Sequence, residues 1–154
     1  MNNINFLVGK KTFKKKLLKP YDKEICSFLE TFSSELNKVK NLNLYPDIKT
    51  LSFFCRAKNI EKFKKNFLKN DVNLRSGLGL VFHITPSNVP INFAYSLIFG
   101  LLTGNSNIIK VPSQNFIQIK IICDAINKIF KKGFKNIKKM IHIVRYQDND
   151  EFTK

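Results

Sequence analysis

Tryptophan is absent from these 154 residues, histidine occurs twice and cysteine three times. The three thiols, Cys26, Cys55 and Cys123, form no closely spaced pair. With only His83 and His142 beside them no zinc arrangement is available, and no metal site is expected. An odd number of unpaired thiols suits a reducing compartment, so the expected location is the cytoplasm. Long apolar runs are missing too. The longest, Ile91 to Leu102, contains Asn92 and Ser96 and is bounded by Pro90 and Gly104. It covers about twelve residues where roughly 20 are needed to cross a bilayer, so no membrane span is expected. Met1-Asn2-Asn3 carries no charge, and Phe6-Leu7-Val8 is too short for a signal-peptide core.

Acidic residues are scarce. Eleven Asp and Glu face 27 Lys and Arg, a formal charge of +16. Such a balance attracts polyanions in principle. Arginine, the residue suited to bidentate phosphate and base contacts, appears only at positions 56, 75 and 145. The lysines accompany abundant Asn, Ile and Phe, a mixture typical of AT-rich coding sequence. Nucleic acid is therefore not the expected partner. A small basic protein that binds nucleic acid or an acidic surface through Lys10–Lys19 and Lys58–Lys69 stands as the alternative reading.

The content itself, 44% apolar, is that of a folded protein long enough for one hydrophobic core. It is short for an enzyme holding a dinucleotide and a second substrate in two domains. Residues 1–20 read as a basic arm, with Phe13, Leu17 and Leu18 on one face of a possible helix. Residues 21–73 read as a helical N-terminal region. There Ile25, Phe28, Leu29, Phe32, Leu36 and Val39 recur at spacings of three and four from Asp22 onward. Shorter helices are expected over 46–57 and 60–69.

Residues 74–154 change character. The apolar run Leu78–Ile84 predicts a strand covered on both faces. Ser87 or Asn88 can cap the next helix, with Pro90 near its first position. Gly104 supplies a left-handed stop. Further elements follow: a strand over 107–111, a helix over 115–131 closed by Gly133, a strand over 140–144, then a polar tail from Arg145. Strand, helix, strand, helix, strand is a parallel, right-handed α/β unit. Half a sheet of this kind leaves one edge uncovered.

Gly77-Leu78-Gly79-Leu80 is not a dinucleotide fingerprint, because Phe82 fills the third glycine position and the glycines precede the strand. The turn from Thr85 to Pro90 is more specific. Asn88 there is either a helix cap or an amide donor to an oxyanion at the start of a helix. Lys110 ends the apolar strand Ile108-Ile109-Lys110, where it either snorkels to solvent or reaches a ribose or phosphate. In this reading His83 is a hydrogen-bonded strand residue, Cys123 is inert packing and His142 has no role.

Two segments together carry a resemblance. His83-Ile84-x-Pro86-Ser87-Asn88-Val89-Pro90 and Leu101-Leu102-Thr103-Gly104-Asn105-x-Asn107-Ile108-Ile109-Lys110-x-Pro112-Ser113 resemble the acyl-CoA reductases related to the fatty acid reductase of bacterial luminescence (LuxC-like). These belong to the aldehyde dehydrogenase superfamily. The resemblance covers about residues 75–148. It implies a partial aldehyde dehydrogenase-like nucleotide-binding domain. It also implies reduction of an acyl-CoA or other acyl thioester to the aldehyde by NADPH, through a cysteine acyl-enzyme. On the same basis Asn88 donates to the oxyanion. Thr85, Pro86 and Ser87 pass along the dinucleotide, while Lys110 and Ser113 meet the adenosine ribose. Ser113 stands where many NAD-using relatives carry glutamate; a serine tolerates a 2′-phosphate, which favours NADPH. The family's catalytic cysteine lies beyond this segment. The chain therefore reads as an N-terminal fragment, inactive alone, whose partner is the C-terminal portion of the enzyme, with homo-oligomer formation by the complete protein left open.

Overall fold

A computed structural model describes residues 4–13, 16–69 and 75–146. Four strands, Asn5–Val8 (β1), Leu80–Ile84 (β2), Ser106–Lys110 (β3) and Ile141–Arg145 (β4), form one mixed sheet in the order β1-β4-β3-β2. The last three run parallel, and β1 joins β4 antiparallel. Among the described residues five α-helices accompany them: Lys23–Leu36 (α1), Pro46–Phe54 (α2), Ala57–Lys69 (α3), Asn92–Leu102 (α4) and Ile117–Lys132 (α5).

The α/β unit forms as its sequence pattern requires. β2-α4-β3-α5-β4 steps one way across the sheet, and the handedness of such crossovers places α4 and α5 on the same face. Strand register divides the residues between the two faces. Ile109, Ile141, Ile143 and Val8 fill the helix-covered face and are at most 1% exposed. α1 packs against all four other helices, and Phe54 at the end of α2 also packs on Tyr95 and Phe99 of α4. The apolar stripe of α1 explains its position, since Ile25, Phe28, Leu29, Phe32 and Leu36 are all buried. Asp22 caps α1 by accepting from the Glu24 N–H at 2.8 Å. Ser33 and Ser52 tie α1 to α2 reciprocally, each hydroxyl donating to the other's carbonyl, at 2.7 and 3.1 Å.

The second face departs from expectation. The run ending at Ile84 is not covered on both sides: Leu80, Phe82 and Ile84 are 47%, 50% and 66% exposed. Both crossover helices lie on the other face, and among the described residues β2 is an edge strand.

What covers the second face is the N-terminal segment, and it is no loose arm. Asn5–Val8 pairs with β4, a strand the sequence reading missed. No helix forms among the described residues of 9–19. Instead Phe13 packs edge-on to His142, with ring centroids 4.7 Å apart. Lys16 donates its N–H to the Ser106 hydroxyl at 3.0 Å, and that hydroxyl donates to the Lys16 carbonyl at 2.6 Å. Further on, the Leu18 N–H reaches the Gly104 carbonyl and the Tyr21 N–H reaches that of Leu102. Gly104 (φ +84°) is required here, because a Cβ would stand 2.2 Å from the Leu18 carbonyl oxygen. The polar tail beyond Tyr146 lies outside the described residues.

Candidate functional site

Three parallel strands end on one side of the sheet, and ligands of such sheets bind beyond those carboxyl ends. The segments arriving there are Thr85–Pro90 after β2, Val111–Asn115 after β3 and Tyr146 after β4. Thr85 fastens the first to the second, its hydroxyl donating to the Lys110 carbonyl at 2.9 Å. The Val111 N–H bonds the Val144 carbonyl at 3.0 Å, and the Ser113 hydroxyl donates to the Tyr146 carbonyl at 3.2 Å. Arg145 closes the rim by donating from Nη1 to the Asn115 side-chain oxygen.

Lys110 does not snorkel. It is 8% exposed, and its Nζ lies 5.0 Å from the centroid of the buried Tyr146 ring. A cation over an aromatic face keeps part of the attraction it loses on leaving water. Ser113 is exposed nearby, so the structure brings Lys110 and Ser113 together around one residue, Tyr146. Tyr146 belongs to the polar stretch that follows the last strand in the sequence. The available signal was its place directly after β4, at the same edge as Lys110.

Pro86, Ser87 and Asn88 are exposed at the same edge, with Thr85 half-buried behind them. Neither Ser87 nor Asn88 caps α4. The helix begins at Asn92, its N-cap is Ile91, and no side chain bonds its first N–H groups. Pro90 and Ile91 continue the turn and delay the helix, which removes the capping role for Asn88. Its amide makes no hydrogen bond among the described residues, and the first turn of α4 is closed by backbone instead, the Asn92 N–H donating to the Val89 carbonyl at 3.3 Å and the Ala94 N–H to that of Ile91 at 2.9 Å.

The second motif segment works mainly inward. The Asn105 side chain accepts from the Gly79 N–H at 3.0 Å and donates to the Thr103 hydroxyl at 2.9 Å. Asn107, fully buried, places its Oδ1 3.0 Å from His83 Nε2 and donates to the Asn105 carbonyl at 2.7 Å. His83 is thus the hydrogen-bonded strand residue expected of it. Thr103, Asn105 and Asn107 lock the α4–β3 turn onto β2 and so fix where Lys110 emerges.

The thiols lie elsewhere. Cys55 and Cys123 are buried on α2's end and α5, and burial pushes both up to about 12. Cys26, half-buried on α1, is also raised, first by burial. A thiol held above its ordinary range is a poor nucleophile at neutral pH. Among the described residues no group of three His, Cys, Asp or Glu gathers as a metal site, and no helix is long and apolar enough to cross a membrane.

The acyl-CoA reductase (LuxC) family matches residues 15–152. The chain belongs to that family. No curated protein and no solved structure matches it. The match takes in α1 to α3 as well as the α/β unit, so the helical half, which carried no motif of its own, is part of the LuxC-family sequence. Membership makes this a reductase family chain, with an acyl substrate and a nicotinamide cofactor in general.

Proposed function

We propose that this LuxC-family chain forms the cofactor-handling part of an NADPH-dependent reductase. The enzyme would convert an acyl-CoA, or another acyl thioester, to the aldehyde in the cytoplasm. The observation that supports the reading best is the buried Lys110, held against Tyr146 beside an exposed Ser113 at the carboxyl edge. These residues fit a phosphorylated dinucleotide: a cation and a hydroxyl at one strand end, and the positive N-terminal end of the α4 dipole at the next. Lys110 would bind the adenosine ribose or its 2′-phosphate, and Ser113 would leave room for that phosphate without repelling it. Thr85, Pro86 and Ser87 would line the path between. The cofactor, when bound, supplies the hydride.

Asn88 would orient the thioester carbonyl and hold the oxyanion that forms when a cysteine thiolate attacks it. A preorganised amide donor at that oxygen stabilises the transition state more than the ground state. We assign the acyl-accepting thiolate to none of Cys26, Cys55 and Cys123, whose environments disfavour ionisation, and so hold this chain inactive without a thiol supplied from outside residues 1–154. We also take residues 74–154 as the nucleotide-binding region, preceded by the helical region over 21–73 and the segment 1–20, in an aldehyde dehydrogenase-like arrangement.

Single-turnover acylation tests the reading. In a full-length enzyme that includes this chain, Asn88→Ala should slow acylation by about 100-fold or more while leaving NADPH affinity nearly unchanged. An unchanged acylation rate would remove Asn88 from the chemistry.

A further inference from the structure

At the opposite edge of the sheet, where β4 begins, lies a cleft of about 740 Å³. Lys10 after β1, Lys131 on the last turn of α5, Lys135, Lys138 and Lys139 in the connection to β4, and His142 on β4 all line it. Five of its ten lining residues are lysines, whereas lysine makes up 24 of the chain's 154 residues. General lysine enrichment therefore does not account for this concentration. Among the described residues no carboxylate lines the cleft, and none of the five lysines pairs with one. The neighbouring carboxylates are engaged elsewhere. Glu35 holds Lys38, Lys128 and Lys132, and Glu24 accepts from Asn136 at 2.8 Å.

The wall is fixed rather than fluid. His142 is 4% exposed, and its Nδ1 accepts the Lys10 N–H at 3.4 Å. Gly9 sits so close to the ring that a Cβ would lie 2.5 Å from Nδ1. One lysine suffices to offset the dipole at the end of α5, and Lys132 on that turn already turns to Glu35. The lysines converge from three separate segments, the turn after β1, the end of α5 and the connection to β4, on a concave space of the size that small ligands occupy. A nucleic-acid surface would instead spread its cations along a stripe interleaved with aromatics.

We infer that this cleft binds a small soluble molecule bearing two or more linked phosphoryl groups, at a site separate from the cofactor edge. Lysines act there as point charges on the phosphates, and each neutralises repulsion that the free cleft retains.

Isothermal titration of the intact chain with sodium tripolyphosphate, at about 0.05 and 0.15 M salt, tests this. Two variants with equal charge loss are compared. One carries Lys131→Gln, Lys135→Gln and Lys138→Gln; the other carries Lys58→Gln, Lys62→Gln and Lys65→Gln on the exposed side of α3. The expected result is binding that weakens about tenfold or more in the cleft variant and less than about twofold in the α3 variant. Equal weakening in both would show a net-charge effect and overturn the inference, as would no binding by the wild type. Two further arms separate the sources of such anions. Capture by phosphoinositide vesicles without binding of free tripolyphosphate would overturn the assignment of a soluble ligand. Binding of duplex DNA that the cleft variant leaves intact, with tripolyphosphate unbound, would do the same in favour of nucleic acid.

Discussion

The side-chain oxygen of Asn107 stands 1.9 Å from the place a Cβ on Gly100 would take. α4 therefore lies on β3 at a distance that only glycine permits. Asn107 cannot turn aside cheaply, since its Oδ1 meets His83 and its Nδ2 donates to the Asn105 carbonyl. Because Oδ1 can only accept, the proton at this contact belongs to His83 Nε2.

Gly100→Ala should accordingly destabilise the fold. Alanine gains about 1 kcal/mol of helix propensity, but overpacking costs about 1–3 kcal/mol and displacing Asn107 leaves buried polar groups unpaired at about 1–3 kcal/mol more. A net loss of about 1–5 kcal/mol in urea unfolding is expected. Adding Asn107→Ala to Gly100→Ala should cost less than the two single changes together, because the smaller side chain removes the clash.

Glu35 predicts a pH dependence. Its side chain is 3% exposed and is bonded by Lys132 and Lys38, with Lys128 at 3.7 Å. Hydrogen bonds from Lys132, then Lys38, hold its carboxyl down to about 2, against an ordinary value of 4.5. A folded-state value below the unfolded one means that the stabilisation is complete above pH 4.5 and is lost as pH falls toward 2. The lysine ends are more than half exposed, so the net worth is modest, on the order of 1 kcal/mol. Acid titration of stability should show a steeper fall across this window for the wild type than for Glu35→Gln.

Thiol labelling gives a third check. A maleimide at pH 7.5 should modify Cys26 slowly and leave Cys55 and Cys123 untouched in the folded chain, because those two are at most 5% exposed and held near 12. All three should react in denaturant. Rapid labelling of Cys123 under native conditions would contradict its burial.

Cofactor selection tests the rim. In a catalytically competent enzyme that includes this chain, Lys110→Ala should raise the Kd for NADPH about tenfold or somewhat more, the loss of one charge-assisted contact of roughly 1.5–3 kcal/mol. Ser113→Glu should shift preference toward NADH, since a carboxylate repels a 2′-phosphate and accepts from a free ribose. Equal preference before and after Ser113→Glu would withdraw the case for NADPH.

Much of this was readable in the residues because it is local. The stripe of α1 and the Gly104 stop follow from neighbours a few positions away, and the β-α-β-α-β order follows from their succession. What escaped depended on distant partners. The four residues of β1 become a strand by pairing with β4, about 135 positions later. The run Leu80–Ile84 has the same composition whether one face or two are covered; crossover direction decides, not the run. α4 has good capping residues at Ser87 and Asn88, yet it starts at Asn92 because the chain turns once more through Pro90. At the candidate site Lys110 stands out as a charge ending an apolar strand, whereas Tyr146, against it in space, is 36 residues away and is marked only by its position just after a strand.

The bare flank of β2 has a consequence for handling the protein. Leu80, Phe82 and Ile84 form an adhesive row beside backbone groups with no neighbouring strand among the described residues. Within β2 neither lysine nor proline blunts that margin, the usual safeguard against sheets joining edge to edge. The surface charge of +16 keeps molecules apart at low ionic strength. Added salt screens that repulsion and strengthens apolar attraction at the same time. This chain should therefore turn cloudy in concentrated buffer sooner than its charge suggests, and polar substitution of Phe82 should delay the turbidity without loosening the core.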